Sequence, residues 1–335
     1  MSENLAAAAT HAPPAFAALD LGTNNCRLLV GAPTSGGFRV LDSFSRLVRL
    51  GQGLDESGRL SPDAMDRAVE ALQGCAERLT RRPVRALRAV ATEACRRALN
   101  GADFLDRVRR ETGLALDVIS TREEAELALE SVTPLLAPLA AAGVTRALLF
   151  DIGGGSTELA WVRLAERPHR PPELIGTVSL PVGVIGLAER WDRHGFEAVA
   201  DEVERHLRPF EAIHRIGAEI RRGKVALVGT SGTVTTLAGV VLDLPRYRRP
   251  LVDGIVLAAA DGDAAVLKLR GMSVTDLAAH PCVGPERSEF VLPGCAIYAA
   301  IARQWPADKV VVADRGLREG MLLRMMRAER GRRHA

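Results

Sequence analysis

Three bends in this sequence gather the residue types that handle phosphate. Asp20-Leu21-Gly22-Thr23-Asn24-Asn25 joins two apolar runs, Asp151-Ile152-Gly153-Gly154-Gly155-Ser156-Thr157-Glu158 joins two more, and Gly229-Thr230-Ser231-Gly232-Thr233 follows a third apolar run. Glycine lets the backbone approach a ligand with no side chain in the way, while Ser, Thr and Asn add donors. A helix starting straight after the third bend would add unpaired N–H groups and a partial positive charge. Set around one cleft, Gly22, Thr23, Asn24, Gly153, Gly154, Gly155, Ser156, Gly229, Ser231, Gly232 and Thr233 would cradle a chain of phosphates. Asp151 and Glu158 stand at opposite ends of the second bend, where both carboxylates could face one phosphate and bind a divalent metal, directly or through its waters. Asp20 is the counterpart of Asp151 in the first bend and is expected to hold metal-bound water or polarise the nucleophile. Neither the Walker A spacing nor G-x-G-x-x-G occurs at these bends, which counts against the commonest nucleotide loops.

The elements that position these bends alternate strand and helix, the pattern of an α/β protein. Residues 16–30 read as a hairpin bent at Gly22, and 147–164 read as a second hairpin around Asp151. Ser61-Pro62-Asp63 opens an amphipathic helix to about residue 79, with serine as N-cap and proline at the first helical position. Strands are expected at 84–91, 114–119, 225–228 and 309–313, and helices from Thr92, over 123–136, over 234–242 and over 317–328. Residues 166–173, rich in proline, read as a loop between strands of the second sheet. The two hairpins repeat one pattern of apolar strand, Asp, apolar residue, Gly, small polar residues and strand. An internal duplication is the economical explanation.

A chain of 335 residues has room for two domains, and 47% apolar with 25% charged residues describes an ordinary globular protein. The boundary is expected near residue 138, where Pro134, Pro138 and the small residues of 140–143 cluster. This divides the chain into a tail (1–15), two domains (16–138 and 139–328) and a basic tail (329–335). No apolar run reaches the roughly 20 residues of a membrane span. Residues 1–14 lack the positive charge that begins a secretion signal, so a cytoplasmic protein is expected. The five cysteines form no C-x-x-C pair and the seven histidines no H-E-x-x-H, so neither a disulfide framework nor a zinc site is indicated. Arginine outnumbers lysine 41 to 3 within a net charge of only +3. An Ala-, Arg- and Gly-rich composition is what a GC-rich genome writes at neutral positions. No basic stretch interleaved with aromatics suggests nucleic acid.

Together these segments resemble the exopolyphosphatase and guanosine pentaphosphate phosphohydrolase family, of the actin, sugar-kinase and heat-shock ATPase superfamily. The resemblance runs over residues 16–328. Beyond the three bends it includes Val48-Arg49-Leu50-Gly51, Gly58-Arg59-Leu60-Ser61, Ala91-Thr92 with Arg96, Glu123-Glu124-Ala125, Ser179-Leu180-Pro181 with Gly183, and Gly316-Leu317-Arg318. It implies two ribonuclease-H-like domains facing each other across a cleft. The implied reaction is release of terminal phosphate from inorganic polyphosphate or guanosine pentaphosphate by water, with Mg2+ or another divalent cation. Glu124 matches the family's catalytic glutamate, although Thr121-x-x-Glu124 and Ser120-x-x-Glu123 are also overlapping capping boxes. Thr92 falls in a matched segment, and Arg96 matches a phosphate-binding arginine. Arg27 and Arg287 are further candidates. The chain departs from the family pattern at Asn25, Gly186 and Glu289. It resembles the short members, without the extra C-terminal domains of long exopolyphosphatases, and the resemblance leaves room for a homodimer. A small-molecule kinase and a nonenzymatic nucleotide-binding scaffold share the fold, but Glu-Glu-Ala after Ser-Thr-Arg favours water as acceptor. Closure on substrate would hinge near 131–143 and 315–319, and the final helix is free to pack back on the first domain.

Overall fold

The computed structural model describes residues 14–165 and 170–334, so most of the expected N-terminal tail and residues 166–169 of the expected loop lie outside it. Phe16–Leu21 (β1) is buried at every position but Asp20, as suits a central strand with both faces covered. It pairs antiparallel with Asn25–Thr34 (β2), which pairs antiparallel with Gly37–Leu47 (β3). On its other edge β1 runs parallel to Ala86–Ala91 (β4), and β4 runs parallel to Asp117–Val118 (β5), giving the order β3-β2-β1-β4-β5.

The second half repeats this arrangement. Arg146–Ile152 (β6) pairs antiparallel with Thr157–Arg163 (β7), which pairs antiparallel with Glu173–Leu180 (β8). Val225–Thr230 (β9) lies parallel to β6, and Lys309–Val312 (β11) lies parallel to β9. Val256–Ala258 (β10) adds an antiparallel edge, so the sheet reads β10-β11-β9-β6-β7-β8. Apart from β10, the two sheets share one strand order and one set of directions. The chain is therefore a duplicated α/β protein with two ribonuclease-H-like domains.

Several elements extend past their expected bounds. The helix Thr121–Ala141, which contains Pro134, continues through Pro138, past its expected end at 136. Each proline removes a backbone donor, at a cost of about 3 kcal/mol. The hydroxyls of Ser131 and Thr133 donate to the carbonyls of Ala128 and Leu129. Burial of Leu129, Val132 and Leu136 against the second sheet offsets the rest. Leu127 on the same helix packs instead with Phe16, Ala18 and Leu29 of the first sheet, so the helix serves both lobes.

The last helix, Leu317–His334, packs Leu317, Met321, Leu322 and Met326 on the first sheet. By packing it belongs with residues 16–138, although the division near 138 assigns it to the second domain. Residues 329–334 are a continuation of this helix rather than a loose basic tail: buried Glu329 pairs with Arg85 at 2.8 Å and Arg332 at 3.5 Å. The strand expected over 114–119 shortens to two residues at the sheet edge.

Candidate active site

Both hairpins turn with the same hydrogen bond, Gly22 N–H donating to the Asn25 carbonyl and Gly153 N–H to the Ser156 carbonyl, each at 2.9 Å. In both, the residue across from the aspartate is the one seven positions on: Asp20 faces Arg27, and Asp151 faces Glu158. One copy thus presents a cation where the other presents an anion. The third bend leads from β9 into the helix Ser231–Val241, with Ser231 held at φ +93°, a conformation non-glycine residues seldom adopt. All three bends open on one cavity of about 340 Å³ between the lobes.

The cavity wall carries Asp20, Glu124, Asp151 and Glu158. Ser120 is the N-cap of the helix that bears Glu124, accepting from Glu123 N–H at 3.1 Å, and the Glu123 carboxylate pairs with Arg88 at 3.0 Å. Capping therefore engages the first frame of the two overlapping boxes and leaves Glu124 to the cleft. Glu124 is only 8% exposed, and Arg96 Nη1 donates to its Oε2 at 3.3 Å and to the Ile119 carbonyl at 2.8 Å.

Burial pushes the Glu124 carboxyl well above the usual range, and Glu158, Asp20 and Asp151 push it further while Arg96 opposes them. Burial and then Asp151 raise Glu158 to about 7, against the Ser156 and Ser179 hydroxyls and Arg96. Asp151 is raised by burial and held back by the Thr230 hydroxyl and Arg27. Asp20 is raised by burial and held back by Arg27 and Arg318.

These hard oxygen donors fit a divalent cation. Among the described residues, no three of His, Cys, Asp and Glu form a ready-made cage. Asn24 Oδ1 and Ser231 Oγ are buried without a hydrogen-bond partner among the described residues, one on each of two facing bends. Such atoms are available to a hydrated ion or a phosphate.

Of the residues proposed from sequence to bind phosphate, Gly22, Thr23, Asn24, Arg27, Thr92, Gly153, Gly154, Gly155, Ser156, Ser231, Gly232, Thr233 and Arg287 line this cavity. Two expected residues are elsewhere. Gly229 is a packing glycine, because a Cβ there would lie 2.6 Å from the Phe150 ring and 2.9 Å from Val234. Arg96 is absent from the wall, with its guanidinium on Glu124 and Ile119. Gly155 serves the approach of the lobes as well as the ligand: a Cβ there would meet the Glu93 carboxylate and lie 2.9 Å from the Thr23 side chain.

Sequence reasoning missed Tyr247, Asp314, Arg315, Arg318 and Glu319 on the same wall. The matched segment Gly316-Leu317-Arg318 was the one available signal. It also missed Glu93, a buried carboxylate that accepts from the Thr23 hydroxyl at 3.2 Å and pairs with Arg97 at 3.0 Å.

The departures from the family pattern have local counterparts. Asn25 lines the cavity. At Gly186 the Asp55 carboxylate occupies the space a side chain would need, and Asp55 is paired with Arg97. Glu289 forms an ion pair with Arg49, whose guanidinium sits 5.4 Å from the centre of the Phe290 ring.

Two duplicated lobes closing on acids, an arginine-bearing wall and glycine-rich bends define a protein of the actin-like class that handles phosphate groups. The chain belongs to the Ppx/GppA phosphatase family, whose model matches residues 29–329, and it is accordingly a phosphohydrolase. The structure of the Aquifex aeolicus member of that family is similar at 28% identity and TM-score 0.73, over 94% of this chain and 98% of that one. An exopolyphosphatase-like protein is similar at 28% identity and TM-score 0.78, over 93% and 97%. An exopolyphosphatase from Cytophaga hutchinsonii shares the fold at 23% identity and TM-score 0.77, over 94% and 98%.

Proposed function

We propose that this phosphohydrolase is an exopolyphosphatase. The observation that carries the reading is the polarity of the cavity, where four acids surround the place for a reacting phosphate and Arg27, Arg287 and Arg318 stand along the same wall to take the rest of a polyanion. In the proposed step a water oxygen bonds to the terminal phosphorus as the bond to the bridging oxygen breaks. Orthophosphate and a chain one unit shorter result. Glu124 takes the water's proton; burial among other acids makes its carboxylate a stronger base than a surface glutamate, and Arg96 on Oε2 leaves Oε1 to accept. The Gly-rich bends hold the terminal group in line with backbone N–H donors.

Asp151, Glu158 and Asp20 would hold Mg2+ or another divalent cation. When bound, it neutralises phosphoryl charge. The five thiols are free, which agrees with work in the cytoplasm, and among the described residues no helix is long and apolar enough to cross a membrane.

A second reading, guanosine pentaphosphate 5′-phosphohydrolase, is favoured by Tyr247 on the wall, a half-buried ring that offers a purine an aromatic face. Magnesium-dependent phosphate release from long polyphosphate, guanosine pentaphosphate and ATP tests both. Faster turnover per enzyme on guanosine pentaphosphate than on polyphosphate would favour the second reading. ATP consumption only with a sugar acceptor, the phosphoryl group passing to the sugar and no orthophosphate appearing, would replace both with a kinase.

A further inference from the structure

Not all arginines on the cavity wall are free to meet a ligand. Arg315 is committed to Asp253, through Nε at 2.9 Å and Nη2 at 2.8 Å. Arg249, which neighbours the wall, donates to the Asp314 carbonyl and pairs with Glu319 at 2.9 Å. Arg287 makes one long bond, 3.4 Å to the Thr236 hydroxyl. Arg318 has no hydrogen bond to, and no carboxylate within 4 Å of, its guanidinium among the described residues, yet it is largely withdrawn from solvent and lines the cavity. A cation taken from water without a partner is costly, and the planar guanidinium presents five donors suited to phosphate oxygens. Its charged surroundings are Glu319, Arg27, Asp20 and Arg249. Those of Glu124 are Glu158, Arg96, Asp20 and Asp151, so only Asp20 is common to the two. The cation that holds Glu124 is Arg96, and Arg318 makes no hydrogen bond or ion pair with Glu124 among the described residues.

We propose that Arg318 binds the phosphate groups behind the one that is cleaved, and that it sets affinity for the chain rather than the rate of the chemical step. This rests on the exopolyphosphatase reading above. Arg318 also sits where the chain returns from the second sheet to the helix packed on the first, so a ligand it holds spans both lobes.

The test is calorimetric binding of inorganic tripolyphosphate and of orthophosphate, at low and moderate salt, to wild type, Arg318→Met, Arg318→Lys and Arg315→Met, together with phosphate release from tripolyphosphate. Arg318→Met should weaken tripolyphosphate binding about 10- to 100-fold, as expected for loss of charge-assisted hydrogen bonds. It should lower the salt dependence by about one ion and leave orthophosphate binding within twofold. Arg318→Lys, which keeps the charge, should recover part of the loss and guards against misfolding of the methionine variant. Arg315→Met should change affinity little. The proposal is overturned if tripolyphosphate binding to either folded Arg318 variant stays at the wild-type value, or if orthophosphate binding falls as much as tripolyphosphate binding. A wild-type protein that neither binds tripolyphosphate nor releases phosphate from it would instead remove the exopolyphosphatase reading beneath the proposal.

Discussion

Glu124 meets the cleft beside three other acids and one arginine, so its carboxyl holds a proton far more readily than a surface glutamate would. If it is the base, Glu124→Gln should lower kcat on polyphosphate by roughly 10² to 10⁴ while leaving polyphosphate binding nearly unchanged. Phosphate-release kinetics with a parallel binding measurement check this, and near-normal turnover would remove Glu124 from the role. Glu158 supports a prediction about stability. Its folded pKa of about 7 is above the ordinary value of 4.5, so the fold binds its proton more tightly than the unfolded chain does. The corresponding stability is fully present below about pH 4.5 and lost as pH rises through about 7. Thermal melts in chelator should therefore decline from pH 5 to pH 8, and Glu158→Gln should melt higher than wild type at pH 8 but not at pH 5. Equal melting at both pH values would contradict the burial argument. Asp20, Asp151 and Glu158 were legible in the sequence because each stands at an end of a recognisable bend, and Glu124 through the resemblance of its segment. Tyr247 and Asp314 were not, because they lie on connecting segments that only the folded chain brings to the wall, and Arg318 was legible only as part of the matched Gly316-Leu317-Arg318.

The helix Thr121–Ala141 places Glu124 through its start, and two capping frames one residue apart competed for that start. Ser120→Ala should cost about 1 kcal/mol and weaken the positioning of Glu124, whereas Thr121→Ala should stay within about 0.5 kcal/mol. Chemical denaturation distinguishes the two, and equal costs would mean that the serine cap is not what fixes the helix start. The glycines separate similarly. Gly155→Ala forces a methyl against Glu93 and Thr23 and should destabilise by roughly 1 to 3 kcal/mol, while Gly232→Ala meets Arg287 only at 3.6 Å, an ordinary contact. Sequence showed the bends but could not say that Gly155 answers to a residue 62 positions earlier in the other lobe. Strand β3 escaped notice because few of its positions are buried, so its apolar alternation is faint. The crossing helix outran its expected end because packing of Leu139 and Ala140 against the second sheet's core overrode the local proline signal.

Two crossings join the lobes, and they differ from the hinges expected from sequence. Residues 131–141 are helical, which moves the first flexible stretch to 142–145, and the second lies at 313–316 before the terminal helix. The crossing and terminal helices are tied by Arg324 and Arg327 on Glu130, at 2.8 and 3.1 Å, so the crossing helix is held to the first lobe through the terminal helix and to the second sheet through its own buried face. Across the cleft mouth the lobes touch through Arg49 with Glu289 and Phe290, and through Gly53 N–H donating to Glu189 at 2.9 Å. The Arg49–Glu289 pair is partly exposed and worth about 1 kcal/mol or less, with a comparable contribution from the ring contact. Such a latch biases closure without locking it, which an enzyme that must release a phosphate each cycle requires. Glu289→Gln removes the charge and keeps the shape, so it should enlarge the ligand-free molecule in small-angle scattering, and wild type in high salt should expand likewise as the pair is screened. Tripolyphosphate should return both to the compact profile. Identical ligand-free profiles for wild type and Glu289→Gln at low salt would show that the lobes are held by the crossings alone, and the latch would then have no part in closing the cleft.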